Sequence, residues 1–215
     1  MYLHPLHTRL DGDVSLCRDC DALPALLDPR SKSRCPRALA DVFVVVSPQC
    51  PPDPTREDGS GVWLVRGYDG VEPEVESEAA LLGLLEHVVS TFPIDRARIA
   101  AVGTSIGGFA CLELASRQPG LLCAIVPIAA YYPWNVEQLL DRLTSAQVVP
   151  IWAFHARNDG LCEFEAMRNL VGLLRARSRA EVRLTTITDT WSSAGHDTEH
   201  AAFPAVPDRR GKPAF

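Results

Sequence analysis

Short apolar runs rich in β-branched residues alternate with amphipathic segments along most of this chain. The apolar runs are residues 42–46 (VFVVV), 98–102 (RIAAV), 121–128, 150–154 (PIWAF) and 181–187. The segments between them, residues 75–89, 107–117, 136–143 and 163–175, carry apolar side chains at three-to-four-residue spacing. Strands this apolar, separated by helices, are typical of parallel sheets covered on both faces. We therefore predict a three-layer α/β/α sandwich with a mostly parallel sheet.

Length and composition favour a single soluble domain. The chain has 215 residues, 47% of them hydrophobic and 22% charged, and no run reaches the ~18 apolar residues that a spanning helix needs. We predict one domain over residues 1–203 and a flexible Pro/Gly tail over residues 204–215. The net charge of −6 would repel a phosphate backbone, so no nucleic-acid partner is expected.

The cysteine pattern indicates a reducing compartment and no metal site. Seven cysteines are an odd number, and several lie inside apolar runs where a thiol behaves as a small hydrophobe. The first residues lack the features of a secretory signal, which favours a cytoplasmic location. Cys17 and Cys20 have the spacing of half a zinc site, but Cys35 and Cys50 are unpaired and distant, so we expect two loop thiols.

The segment of residues 103–107 (GTSIG) lies between a predicted strand and a predicted helix. Its glycines permit a tight, strained turn that projects the Ser105 hydroxyl from the corner, beside the backbone N–H groups of the helix N-terminus. This context predicts Ser105 as a catalytic nucleophile. The alternative is that Ser105 serves as a helix cap.

Two further residues follow successive predicted strands. Asp159 comes after the strand at residues 150–154, and His196 comes after the strand at residues 181–187. Ser105, Asp159 and His196 appear in the order serine, acid, histidine, and the carboxyl ends of parallel strands meet at one sheet edge. The pattern predicts a catalytic triad, in which imidazole takes the serine proton and the carboxylate orients the imidazole. A loop-capping Asp159 and a surface His196 are the alternatives.

At these residues the chain resembles the α/β-hydrolase superfamily. Within it, the chain is similar to predicted esterases and peptidases related to dienelactone hydrolase and to the phospholipase/carboxylesterase group. The matching pieces, spread over residues 1–200, are residues 45–51 (VVSPQCP), Trp63, 94–95, 98–99, 103–108, 125–128, 150–155 (PIWAFH) and 195–197. The resemblance implies a hydrolase of esters or amides without metal or organic cofactor. We accordingly expect a serine hydrolase of the carboxylesterase class, with thioesters and small amides as further substrates.

The N-terminus departs from that pattern. The resemblance implies that residues 2–6 are the family's third strand, so the fold is shortened at its N-terminus, and Pro5 stands where the family has glycine. The expected oxyanion-hole donors are the backbone N–H groups of Ile106 and Leu6, the latter displaced because proline has a fixed φ and no N–H. An uncovered sheet edge predicts self-association, and a poorly anchored Leu6 donor predicts low turnover.

The substrate pocket has four candidate residues. Tyr131, Tyr132 and Trp134 follow the strand after the nucleophile, at the same carboxyl edge, and His4 lies in the predicted N-terminal strand. These side chains could wall a pocket for a small carboxylic ester, and packing beneath the next helix is the alternative.

Two other functions compete with the triad. Residues 196–200 read as H-x-x-E-H, in which His196 and His200 would bind zinc and Glu199 would activate water. The few residues after His200 offer no good third ligand, which disfavours this zinc hydrolase. The second alternative is a catalytically weak or inactive relative that acts as a binding protein, because a fold does not determine a function.

Overall fold

The fold is built on one parallel sheet. The structure is a computed structural model, and it describes residues 1–5, 23–27, 42–51, 63–64, 75–130, 136–145, 149–188, 195–196 and 198–203. Its strands are β1 (Tyr2–Leu3), β2 (Ala100–Thr104), β3 (Ala124–Ile128), β4 (Ile151–Ala156) and β5 (Val182–Ile187). They lie in the order β1-β2-β3-β4-β5, and every neighbouring pair is parallel. The predicted α/β architecture is confirmed.

Six α-helices accompany the sheet within the described residues. They are α1 (Leu23–Leu27), α2 (Val75–Thr91), α3 (Ile106–Arg117), α4 (Val136–Ser145), α5 (Phe164–Arg177) and α6 (Glu199–Ala202). The four longer helices, α2 to α5, match the amphipathic segments of the sequence to within two residues at each end. A short 3₁₀ helix, Arg96–Arg98, leads into β2 and is capped by Asp95, whose side chain accepts from the N–H of Ala97.

The main hydrophobic core lies between the sheet and helices α2 to α5. Alternate residues of the strands, such as Ala101, Ile125 and Ala153, point into it and are fully buried. Crossovers of one hand between sequentially ordered parallel strands put their helices on the same face, which explains this common core. Leu81 of α2 and Leu139 of α4 complete it from the helical side.

The opposite face of the sheet packs against smaller elements. Ile128 of β3, Phe154 of β4 and Ile187 of β5 form a second cluster, against which Phe203 packs just after α6. Tyr2 of β1 forms a third cluster with Leu23 of α1. Helices therefore lie on both faces, although the two on this side are short. Within the described residues, no helix combines the length and the hydropathy that crossing a membrane requires.

The predicted buried strand at residues 42–46 is wrong. Residues 43–46 have no regular secondary structure, and Val42, Phe43 and Val44 are 66%, 53% and 50% exposed. The segment does reach the sheet, because the N–H of Tyr2 donates to the carbonyl of Val46 over 2.8 Å. The apolar run therefore lies beside the sheet without joining it.

Several sequence expectations fall outside the described residues. The N-terminal strand predicted over residues 2–6 is present as Tyr2–Leu3, whereas Leu6 lies beyond the described segment. Tyr131, Tyr132, Trp134 and the predicted tail at residues 204–215 also lie outside it. The four cysteines that the structure describes, Cys50, Cys111, Cys123 and Cys162, form no disulfide with one another.

A buried carboxylate joins three helices. Glu113 of α3 accepts from Arg117 Nε over 2.7 Å and lies 3.4 Å from Arg142 Nη2 of α4. Arg117 also pairs with Glu78 of α2 over 3.2 Å. Because Glu113 is almost fully buried, its two arginine partners compensate the cost of removing its charge from water.

The contact between β1 and α3 supplies a stability test. A Cβ on Gly107 would lie 2.0 Å from the carbonyl oxygen of Leu3, so β1 can approach α3 only where residue 107 has no side chain. Gly107→Ala should therefore lower the free energy of unfolding by about 1–3 kcal/mol, measured by urea denaturation. Gly83→Ala is the matched control, because its Cβ meets nothing within 4 Å on α2 and should raise stability by about 0.5–1 kcal/mol. Equal stability of the two variants would contradict the contact.

Candidate active site

The Ser105 turn is strained. Ser105 lies between the end of β2 and the start of α3, with φ 54° and ψ −119°, a conformation that non-glycine residues rarely adopt. Its N–H donates to the carbonyl of Ile128 over 2.9 Å, and its own carbonyl accepts from Gly108 and Phe109. These bonds hold the turn in place. The strand-turn-helix context predicted from the sequence is confirmed.

Close backbone packing explains the glycines on either side of Ser105. A Cβ on Gly103 would lie 2.3 Å from the carbonyl oxygen of Gly107, and one on Gly108 would lie 2.6 Å from Cβ of Ala130. Both contacts are too short for a side chain. Ile106 is the first residue of α3, so its N–H has no acceptor within the helix and is available beside Ser105.

Asp159 lies in the loop after β4, three residues beyond the end of that strand. Its side chain is fully buried, and Oδ1 accepts from the backbone N–H groups of Leu161 and Cys162, each over 2.9 Å. Burial opposes ionisation, but hydrogen bonds from His155, His196 and the Cys162 N–H outweigh it and hold the pKa of Asp159 well below its usual range. Asp159 is therefore an anion at neutral pH.

His196 lies against this carboxylate. Its Nδ1 is 2.9 Å from Oδ2 and 3.1 Å from Oδ1 of Asp159, and its side chain is 14% exposed. An ionised carboxylate only accepts, so Nδ1 carries the proton and Nε2 of the neutral ring is left with a lone pair. The preceding Gly195 has φ 70°, and a Cβ there would lie 2.3 Å from the Asn158 carbonyl oxygen. Glycine at 195 thus lets the His196 loop pack directly on the Asp159 loop.

The Ser105 hydroxyl has a neighbour that sequence reasoning missed. The thiol of Cys162 lies close to this hydroxyl. Burial and the negative charge of Asp159 raise the pKa of Cys162 to about 12 against the opposing effect of Ser105, so Cys162 is a protonated thiol and a poor nucleophile. No hydrogen bond between described residues joins Ser105 to His196.

His4 and Pro5 are fixed beside the site. The His4 ring is buried, with Nδ1 donating to the carbonyl of Pro5 over 2.8 Å and Nε2 accepting from the N–H of Cys50 over 3.0 Å. The Trp63 ring packs on the His4 ring with 4.9 Å between the ring centroids, and its Nε1 donates to the His4 carbonyl. Both His4 nitrogens are thereby engaged in bonds within the protein. Sequence reasoning marked Cys50 and Trp63 as points of family resemblance but gave them no role.

The zinc alternative finds no matching geometry in the described residues. The H-x-x-E-H reading needs both histidines on one helix, but α6 begins at Glu199, so His196 precedes it. His196 turns its Nδ1 to Asp159 instead. In the described segments, no group of three or more His, Cys, Asp or Glu side chains is arranged to hold a metal ion.

Solved structures resemble this one, although no protein-family model and no curated protein match the chain. A thermostable esterase is 25% identical, with a TM-score of 0.50, over 62% of this chain and 35% of its own. Esterase PE8 is 18% identical, with a TM-score of 0.57, over 94% of this chain and 88% of its own. The match to nearly all of esterase PE8, together with the parallel sheet, shows that this protein has the α/β-hydrolase fold. The chain spans about a third of the length of the thermostable esterase.

The lowered pKa of Asp159 predicts how acid affects stability. Ionised Asp159 stabilises the fold above its ordinary pKa of 3.8, and this contribution is lost as the pH falls through the lower pKa of the folded state. Asp159→Asn should therefore be less stable than wild type near neutrality, and the difference should shrink in acid. Urea denaturation at about pH 6 and about pH 3 measures both values.

The control for the loss of one negative charge is Asp141→Asn on the exposed side of α4. If the stability difference between wild type and Asp159→Asn did not change with pH, folding would not favour the ionised form of Asp159.

Proposed function

We propose that this protein is a serine hydrolase that cleaves carboxylic esters through an acyl-enzyme intermediate on Ser105. The observation that carries the proposal is the bond from His196 Nδ1 to the buried Asp159 carboxylate, at the same sheet edge as the strained Ser105 turn. The α/β-hydrolase fold supports a hydrolase at the level of fold class, and the thermostable esterase is an ester hydrolase by its name.

The residues divide the chemistry as follows. Nε2 of His196 takes the proton of Ser105 as Ser105 attacks the ester carbonyl. Asp159 stabilises the resulting imidazolium. His196 then protonates the leaving alcohol, and in the second half of the cycle it removes a proton from the water that releases the acid. The metal-free mechanism needs only these groups and the oxyanion donors.

The oxyanion donors in this proposal are the N–H groups of Ile106 and Leu6. The Ile106 N–H begins α3, where the helix dipole also favours negative charge. The backbone leading to Leu6 is anchored through His4, because Cys50 and Trp63 both hydrogen-bond to that residue. This anchoring holds the backbone at His4, two residues before Leu6.

Covalent labelling tests the nucleophile. A fluorophosphonate probe should label the wild type once, Ser105→Ala should not be labelled, and Cys162→Val should keep the label because the thiol is protonated. Mass spectrometry of the labelled peptide identifies the modified residue. Label on Ser105→Ala, or its loss in Cys162→Val with label found on Cys162, would refute the assignment.

Ester hydrolysis tests the whole triad. With a short-chain nitrophenyl ester, Asp159→Asn should reduce kcat by about 10⁴-fold, because the imidazole then adopts the wrong tautomer. Ser105→Ala should lower it at least as far, and added chelator should change nothing. Wild-type activity no higher than that of Ser105→Ala would favour the binding-protein hypothesis, and inhibition by chelator would favour the zinc hypothesis.

We propose a small ester as the substrate, with Tyr131, Tyr132 and Trp134 as the pocket wall. The described residues directly before them lie at the site edge, since Ala129 follows β3 with φ 45° and Ala130 lies close to Gly108 of the nucleophile turn. Activity on nitrophenyl esters should therefore fall as the acyl chain lengthens, measured as kcat/KM from acetate to palmitate. A maximum at long chains would contradict this pocket.

A further inference from the structure

His155 is a fully buried imidazole beside the catalytic acid. It lies on β4, where it pairs with Thr186 of β5, and its exposed fraction is 0%. Its place in the strand alternation turns it towards α5, where the ring meets the edge of Phe164 at 5.9 Å. It precedes Asp159 by four residues, and the triad chemistry does not use it.

The ring has two acceptors at one nitrogen. Nε2 lies 2.8 Å from the carbonyl oxygen of Cys162 and 3.3 Å from Oδ2 of Asp159. Carbonyl and carboxylate oxygens only accept, so Nε2 must carry the proton and share it between them. Nδ1 is buried and has no hydrogen-bond partner among the described residues. A second proton there would be a buried donor without an acceptor, which favours the neutral ring.

These bonds connect His155 to each member of the proposed triad. Asp159 receives its proton directly, on the same oxygen that His196 approaches. Cys162, whose carbonyl His155 binds, donates its N–H to Asp159 and its thiol meets the Ser105 hydroxyl. The loop between Asp159 and Cys162 is thus fastened to β4 by the His155 imidazole and by the N–H of Asp159, which donates to the carbonyl of Ala156 over 3.4 Å.

We propose that His155 is a positioning residue of this hydrolase, which by donating its Nε2 proton to Asp159 and Cys162 holds the carboxylate in line with His196. This inference rests on the proposed function of the same site. Among the described residues, the ionisable groups that face Asp159 are His155 of β4, His196 and the Cys162 thiol. The guanidinium of Arg157 lies over the ring of Phe164, 5.7 Å from its centroid.

Loss of this donor has a defined electrostatic sign. Without the His155 proton, the ionised form of Asp159 is less stable. Its carboxylate then accepts a stronger hydrogen bond from the imidazolium of His196. Both effects make the Asp159–His196 pair take up its proton at higher pH, as a coupled unit. The acid limb of the kcat/KM profile should therefore move up by about half to one pH unit, the equivalent of one hydrogen bond.

The experiment compares two substitutions of one residue. His155→Leu removes the donor, whereas His155→Gln puts an amide N–H near the position of Nε2. We expect His155→Leu to lose about 10- to 100-fold in kcat with little change in KM and to shift the acid limb upward. His155→Gln should recover most of the kcat and the wild-type limb. Phe154→Leu, the neighbouring apolar residue of β4, is the packing control and should leave the limb unchanged.

Some outcomes overturn the proposal. A stable His155→Leu with the wild-type acid limb, or a His155→Gln that behaves like His155→Leu, would show that His155 acts through packing. Should His155→Leu fail to fold, His155→Asn replaces it, because its shorter amide cannot reach both acceptors. In the wild type itself, ¹⁵N shifts must assign the His155 proton to Nε2, and a proton on Nδ1 would refute the hydrogen bonds.

The proposed function can fail without deciding this inference. If the wild type hydrolyses no ester and takes no fluorophosphonate label, the serine-hydrolase proposal is wrong. An NMR titration of the His196 ring still tests whether His155 acts on the Asp159–His196 pair. His155→Leu should move the midpoint of that titration upward whether or not the protein hydrolyses an ester. An unmoved midpoint would overturn the role of His155 on its own.

Discussion

The buried carboxylate of Asp159 organises the site. A charge removed from water is stable only when donors replace its solvation, and here the donors come from two imidazoles and two backbone N–H groups. These donors come from three stretches of chain, so satisfying one anion brings β4, the loop after it and the loop before α6 together. The His196 ring receives its orientation from the same anion.

Strain at Ser105 is the second element of the site. A serine with positive φ is unfavourable in isolation, and it persists because neighbouring elements leave the turn no room to relax. Leu3 of β1 approaches Gly107 on one side, and Ala130 approaches Gly108 on the other. The stability of the packed sheet therefore maintains a conformation that exposes the hydroxyl and a helix N-terminus together. Packing within the fold thus holds the groups of the site in position before a substrate binds.

The two faces of the sheet are packed to different extents. Four long helices and a continuous core support one face, including the buried side of β4 from which His155 projects. The other face carries small clusters around Tyr2 and Phe154. The exposed apolar residues 42–44 lie near β1, where the short strand offers few partners. Rigidity is thus concentrated behind the residues that form the proposed triad.

Local patterns in the sequence determined the alternation of strands and helices, the Ser105 turn and the order of Ser105, Asp159 and His196. Each of these depends on neighbours within a few residues, and hydrophobic periodicity or glycine spacing records such neighbours directly. The tertiary structure decided what depends on distant contacts. It left residues 42–46 outside the sheet, placed Cys162 beside Ser105, and engaged both nitrogens of His4. It also gave the buried His155 its two acceptors, because a histidine in an apolar strand shows its partner only when the chain has folded.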